Sequence, residues 1–572
     1  MRSVWVMLAA MAAVSCALAD ERVDPRERQY IVPTRVVWHS ESGEKGSVTA
    51  PEILCGPRLG QVPEGAFLNG SGCVLENKGE PVGILVDFGR ELHGGLLVAS
   101  GGPSSRGMKV RVRFGESVAE AMAELGERGA CNDHAIRDSV IDLPWAGTRE
   151  IGNTGFRFVR IDLVTKGRLQ IEYLKAVSLM RRWDYLGGFR SSDERLNQVW
   201  ATAARTVHLC CQDFMWDGIK RDRLVWMGDS HPEMMSVLAV FGGQSILMES
   251  FDYMRATTDS NAWMDGMPSY TLWWLRCIHD WYVWSGDASY IRDHLDYIRA
   301  TCRHVIQHIG ADNRCTMGGF LDWPSNHNKP AIAAGMQALM VKALECAAEM
   351  ADAVKDAGLA NACREAVGRL RSVKPEPNGS KQAAALLALA KLREPREMAD
   401  QVLCKDGVKG VSTFYGYYML EALSAAGENQ RAIDTVRDYW GGMLDMGATS
   451  FWEDFNVAWT NNAFRIDQMP VAGKKDIHGD YGEFCYVGFR HSLCHGWSSG
   501  PAAWLIHHVL GIQPMDVGCK TVRVKPFLGD LAWAEGSLPV PQGVVKVRHE
   551  KQPDGTVKTT IDAPEGVKII KE

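Results

Sequence analysis

Ser191-Ser192-Asp193-Glu194-Arg195-Leu196-Asn197-Gln198-Val199-Trp200 is where this chain changes its period. A Ser or Asp N-cap and an acidic first turn precede Leu196, Trp200, Ala203 and Val207, which recur at helical spacing. From here to about Gly511 helical segments alternate with Gly- and Trp-rich loops, most clearly at 335–353, 382–392 and 415–426. Upstream the text is strand-like: Gly83 to Phe88, Leu96 to Ala99 and Val110-Arg111-Val112-Arg113-Phe114 are short β-branched runs. Strict alternation in the last puts Val110, Val112 and Phe114 on one face. Downstream, Thr521-Val522-Arg523-Val524 and Val544-Val545-Lys546-Val547 alternate again, and Pro553-Asp554-Gly555 is a hairpin turn. The order is an N-terminal β-sandwich (20–186), a helical toroid or barrel (187–511) and a small C-terminal β-domain (512–572).

The chain has 572 residues, and roughly 150 residues per domain also suggests two to four units. Hydrophobic residues are 46% and charged residues 23%, which argues against disorder. A net charge of -6 provides no basic field for nucleic acid, so that class is set aside.

Residues 1–19 read as a secretory signal peptide. Arg2 precedes an apolar run from Val4 to Val14, and Ala17-Leu18-Ala19 supplies a small-residue cleavage site before Asp20. Cys16 offers a rival, lipoprotein reading in a poor context. No later stretch approaches the ~20 apolar residues of a membrane span. The expected destination is the periplasm or the exterior. The cysteines after Asp20 are irregularly spaced, without CxxC pairs or zinc spacing, and mostly free thiols are expected.

The densest chemistry lies in Asp217-Gly218-Ile219-Lys220-Arg221-Asp222-Arg223-Leu224-Val225-Trp226-Met227-Gly228-Asp229. Three acids, three bases and a tryptophan cannot be the buried stripe of a helix, so this is a loop, where catalytic groups concentrate. A structural ion-pair network is the plainer reading of the same residues. Two other segments join it: Thr449-Ser450-Phe451-Trp452-Glu453-Asp454-Phe455, and Ser492-Leu493-Cys494-His495-Gly496-Trp497 before a helix at 502–510. Two separated carboxylates suit glycosidic cleavage: one protonates the leaving oxygen, the other activates water. Of 19 tryptophans, fourteen lie between Trp200 and Trp504, so aromatic faces for a sugar are at hand there. Trp226 and Trp323 stand out because each sits beside an aspartate, Asp229 and Asp322.

The 217–229 loop resembles that of the inverting α-L-rhamnosidases, glycoside hydrolase family 78. The resemblance extends to residues 86–95 and 113–116 in the N-terminal β-sandwich, 191–200 at the start of the barrel and 525–531 in the C-terminal domain. It implies a central all-α (α/α)6 barrel flanked by the N-terminal β-sandwich and a small C-terminal β-sandwich. It also implies hydrolysis of terminal α-L-rhamnosyl residues, a rhamnose-containing glycan or glycoside as partner, and no cofactor or metal. Asp222 falls on the general-acid position and Glu453 on that of the general base. Asp217, Arg221, Trp226 and Asp229 match the rhamnose subsite, which His495, Trp497 and Trp323 are expected to complete.

One departure matters. Many members have glutamate where Asp222 stands, and aspartate is one methylene shorter. Arg221 and Arg223 would favour its ionised form if they point at it, whereas a general acid starts protonated. Either the arginines turn away towards Asp217 or Asp229, or those two acids crowd Asp222. Inversion expects the Asp222 and Glu453 carboxyls about 6.5–9.5 Å apart. Two rivals stay open: a polysaccharide lyase using His495 with an arginine, and a degenerate hydrolase that binds sugar without turnover.

Overall fold

The computed structural model describes residues 23–55, 72–102, 104–484 and 487–572. The expected signal peptide and Cys16 lie outside them.

The N-terminal strands are β1 (Arg26–Ile31), β2 (Arg35–His39), β3 (Gly46–Thr49), β4 (Cys73–Asn77), β5 (Val82–Gly101), β6 (Lys109–Gly115), β7 (Asp138–Asp142), β8 (Gly147–Leu163) and β9 (Gly167–Arg181). They form one continuous nine-stranded sheet in the order β3-β4-β9-β5-β8-β6-β7, with β1 on β9 and β2 on β5. Where two separate sheets were expected, the long strands β5, β8 and β9 each pair with several neighbours. Irregularities in the β5–β8 pairing fall between Asp87 and Leu92 and between Gly94 and Leu96. Val110, Val112 and Phe114 are buried in its core with Ile84, Val86 and Leu96. The opposite face is not simply solvated, since Arg113 is buried against Asp162 at 2.8 Å.

The helical region begins at Glu194–Cys210, where Asp193 caps the backbone N–H groups of Arg195 and Leu196. Expected helices appear as Lys329–Ala353, Lys381–Leu389 and Gly416–Ala425. Lys329–Ala353 is long and apolar enough to cross a membrane, contrary to the sequence reading. Yet 83% of its apolar window is buried inside the molecule, as a core helix requires. Several tryptophans serve packing: Trp274, Trp440, Trp452 and Trp504 are fully buried.

The C-terminal strands form a four-stranded and a three-stranded sheet. The first takes its edge strand, β10 (Gly188–Ser191), from just before the first helix, paired antiparallel with Trp533–Val540. Val522, Val524, Leu538 and Val545 join the same core as the helices. All thirteen cysteines among the described residues are free thiols.

The N-terminal sheet is fastened to the helices. Arg157 joins Asp87 at 2.8 Å and donates to Gly447 O at 3.0 Å, and Arg205 donates to Glu91 O at 2.6 Å. One side of the helical region is thereby held against the sheet, and the acid-rich loop lies there.

Candidate active site

The loop of interest runs between the helices Glu194–Cys210 and Ser230–Phe241, longer at its start than the sequence suggested. The first helix ends early because the chain folds back, with Cys211 bridging to Met215. Asp217 is tied down by three backbone contacts: it donates to Leu224 O at 3.0 Å, its Oδ1 accepts from Leu224 N at 3.0 Å, and its carbonyl accepts from Gly496 N at 2.7 Å. The 492–497 segment is thus docked onto the acid-rich loop, and Gly218 bridges to His495.

Arg221 is the centre of the arrangement. Its Nη1 donates to Asp222 Oδ1 at 2.9 Å, its Nη2 to Glu453 Oε1 at 2.6 Å, and its Nε to Arg490 O at 3.0 Å. One guanidinium bridging both carboxylates keeps their facing oxygens within roughly 8 Å, given its rigid fork. Of the two arginines, Arg221 therefore points at Asp222. Arg223 does turn away, donating to Asn153 O at 3.1 Å with its guanidinium over Trp216.

Glu453 is buried, and Ser492 N donates to its Oε2 at 3.1 Å. Burial raises its pKa, but Arg221, His495 and His491 outweigh burial and hold it below the usual glutamate value. Asp217 and Asp229 shift the other way. Burial raises both, and for Asp217 the neighbouring Asp229 and Asp222 add to it. Asp229 Oδ1 accepts from Tyr270 Oη at 3.0 Å, and its Oδ2 lies 3.1 Å from His495 Nε2. Burial opposes charge on His495, but Glu453, Asp229 and Asp217 together raise its pKa. Its Nδ1, which makes no hydrogen bond, faces Glu453 Oε1 at 3.9 Å.

The aromatic residues divide by role. Trp497 is buried beside His495, and its Nε1 donates to Glu453 O at 3.0 Å, so it supports Glu453 rather than opening a face. Trp226 and Trp323 are half-buried. They are linked through Tyr270 and Phe320 in a run of edge contacts, with ring centroids 6.2, 6.4 and 4.8 Å apart. Asp322, beside Trp323, is buried on Ser412 and raised to about 6 by burial.

Sequence reasoning missed several neighbours. Tyr270 holds Asp229. Asp454, next to Glu453, is raised to about 7 by burial and by Asp322, and only its place beside Glu453 hinted at this. Asp265, raised to about 7 by burial, accepts from Met227 N at 2.8 Å. The N-terminal domain contributes Glu116, Glu120 and His134; the resemblance touched Glu116 through the 113–116 segment without giving it a role, and the other two carried no signal.

Glu116, Glu120 and His478 converge closely enough to hold a metal ion. The ammonium of Lys220 already stands among them, 3.0 Å from Glu116 and 3.3 Å from Glu120. Both ring nitrogens of His478 are engaged, by Ser117 Oγ at 2.8 Å and His491 O at 2.9 Å. Lys220 therefore supplies the cation there. A cavity of about 720 Å³ lies at the far junction with the C-terminal sheet. Its Arg276 pairs with Asp280 at 2.6 Å and its His508 with Glu421 at 3.0 Å, remote from this chemistry.

Residues 184–374 match the bacterial alpha-L-rhamnosidase 6 hairpin glycosidase domain, and 511–570 match the bacterial alpha-L-rhamnosidase C-terminal domain. Both matched segments are thus domains of the kind found in bacterial alpha-L-rhamnosidases. The chain also shares its fold with solved structures. The family 78 rhamnosidase of Bacillus sp. GL1 superposes with a TM-score of 0.72 at 22% identity, over 86% of this chain and 53% of that one. The Klebsiella oxytoca rhamnosidase with rhamnose bound gives 0.66 at 18%, over 84% and 96%. The Streptomyces avermitilis alpha-L-rhamnosidase complexed with L-rhamnose gives 0.68 at 17%, over 87% and 50%. The chain spans about half the length of the Bacillus and Streptomyces proteins. No curated protein matches it in sequence.

Proposed function

We propose that this protein is an exported glycoside hydrolase that releases terminal α-L-rhamnosyl residues with inversion, from a cleft at one end of an (α/α)6 barrel. The observation that carries the reading is the Arg221 bridge between Asp222 and Glu453, ringed by Asp217, Asp229 and His495. Glu453, held ionised, is the base that takes a proton from the attacking water. Asp222 is the acid that protonates the departing oxygen. Asp217, Asp229 and His495 hold the sugar hydroxyls while Trp226 and Trp323 offer apolar faces. The two rhamnosidase domain matches support the sugar, as do the rhamnose-bound neighbours of the same fold.

The test is hydrolysis of a chromogenic aryl α-L-rhamnoside by wild type, Asp222→Asn and Glu453→Gln. Each variant should lose about 10²–10⁴-fold in kcat. Proton NMR of the fresh product should show the β-anomer first; an α-anomer appearing first overturns inversion. Export is tested by the mass of the mature chain recovered outside the cytoplasm, expected to begin at Asp20.

The ion pair of Asp222 with Arg221 favours one second reading, sugar binding without turnover, because an acid catalyst must carry a proton. Rhamnose binding by a wild type that hydrolyses no rhamnoside would support it.

A further inference from the structure

His134 belongs to the N-terminal sheet domain, yet its Nε2 lies 3.5 Å from Asp222 Oδ1. The loop that carries it is fixed. Asn132 Oδ1 accepts from the backbone N–H groups of Arg137 and Asp138, both at 3.0 Å, and its amide donates to Asp138 O at 2.8 Å. Arg137 is buried, with its guanidinium on the carbonyls of Phe114, Glu120 and Ala123. His134 therefore meets Asp222 from a preset direction.

Four charged groups surround that imidazole. Asp222 stands at 3.5 Å and Asp133 at 3.6 Å, Arg490 Nη2 donates to the same Nε2 at 3.5 Å, and Arg221 lies behind Asp222. One nitrogen thus has two states. Protonated, it directs an N–H at the carboxylates; neutral, it accepts from Arg490. The His134 side chain is 29% exposed against 12% for Asp222, so the imidazole has the readier access to solvent protons.

We propose that His134 is a positioning residue for Asp222 that returns a proton to it after each turnover; the proposal rests on the hydrolase reading of the cleft. Asp222 gives its proton to the leaving glycosidic oxygen and becomes a carboxylate. The His134 imidazolium passes its Nε2 proton to that carboxylate, and Arg490 donates to the freed lone pair. The imidazole then takes a proton from solvent, while Glu453 releases to solvent the one it took from the attacking water, so the cycle balances. The sheet domain thereby takes part in the reaction cycle.

The first test needs no turnover. NMR of carbon-13-labelled histidine, with His134 assigned by its loss in His134→Gln, reads the imidazole ring directly. Asp222→Asn should shift the His134 ring resonances at constant pH, since it replaces the oxygen 3.5 Å from Nε2. Unmoved resonances overturn the pairing. The second test is kinetic. On an aryl α-L-rhamnoside, His134→Gln should cut kcat about tenfold with KM little changed, and added imidazole should restore part of the loss. A wild-type kcat in His134→Gln, or a loss that imidazole leaves untouched, overturns the relay. A wild type inert on the rhamnoside instead sinks the hydrolase reading and the relay with it, while the ring resonances still decide the pairing.

Discussion

Arg221 spans two carboxylates that the proposed reaction needs in opposite states. Its hydrogen bond to Glu453 is charge-assisted at both ends, and such bonds favour the ionised acceptor. With its pKa held below the ordinary value, Glu453 stays charged until the pH falls through that lowered value. The acidic limb of the kcat/KM profile should therefore lie below about 4.5. Arg221→Met removes the bridge, so the limb should move upward and kcat should fall roughly 100-fold. A pH–rate profile on the aryl rhamnoside checks both, and an unmoved limb would show that Arg221 does not set the state of Glu453.

At the scale of the element, the acid-rich loop is held in an unusual backbone. Asp222 and Arg223 both lie in the left-handed region, with φ of 54° and 59°. Non-glycine residues there cost roughly 1–3 kcal/mol each, which surrounding contacts must offset. Leu224 bonded to Asp217 and Arg223 laid over Trp216 supply those contacts. Gly228 meets a different constraint, close approach. A Cβ there would sit 2.0 Å from the ring of Tyr270, whose hydroxyl holds Asp229. Gly228→Ala should push Tyr270 aside and raise KM for the rhamnoside about tenfold or more, with a smaller change in kcat. An unchanged KM would separate Tyr270 from the sugar subsite.

At the scale of the molecule, the sheet domain and the helical domain are joined through a buried charge cluster behind the cleft. Lys220, from the acid-rich loop, neutralises Glu116 and Glu120, from the sheet domain. Leu493 N donates to Glu116 at 2.6 Å, tying in the segment that carries His495. Removing one partner of a buried pair leaves uncompensated charge, so Lys220→Met should cost about 3–5 kcal/mol in chemical denaturation. Loss of less than about 1 kcal/mol would show the cluster is not a joint. Glu116 also gives stability a pH dependence. Burial, aided by Glu120, raises its pKa to about 7 against the pull of Lys220. A carboxyl raised on folding binds its proton more tightly in the native state. Its contribution is complete below the unfolded value near 4.5 and is lost as pH rises to about 7. Glu116→Gln should flatten that fall, measured as denaturation midpoints between those pH values.

The sequence alone determined the change from strand to helix after Ser191 and the hairpin at Pro553-Asp554-Gly555, and it narrowed the helix cap to a Ser or Asp, of which the fold uses Asp193. It also pointed to Asp222, Glu453 and His495 as groups that the folded chain brings together. These features act within a turn or a strand pair, where spacing and side-chain type are enough. Tertiary structure alone decided which way each arginine faces, since Arg221 and Glu453 stand 232 residues apart in the chain. It also gave β10 to the C-terminal sheet, and it brought His134 against Asp222 and Glu116 and Glu120 against Lys220 from the N-terminal domain. No local pattern encodes those meetings. They follow from how the apolar faces of sheet and helices pack, which sets which loops end up side by side.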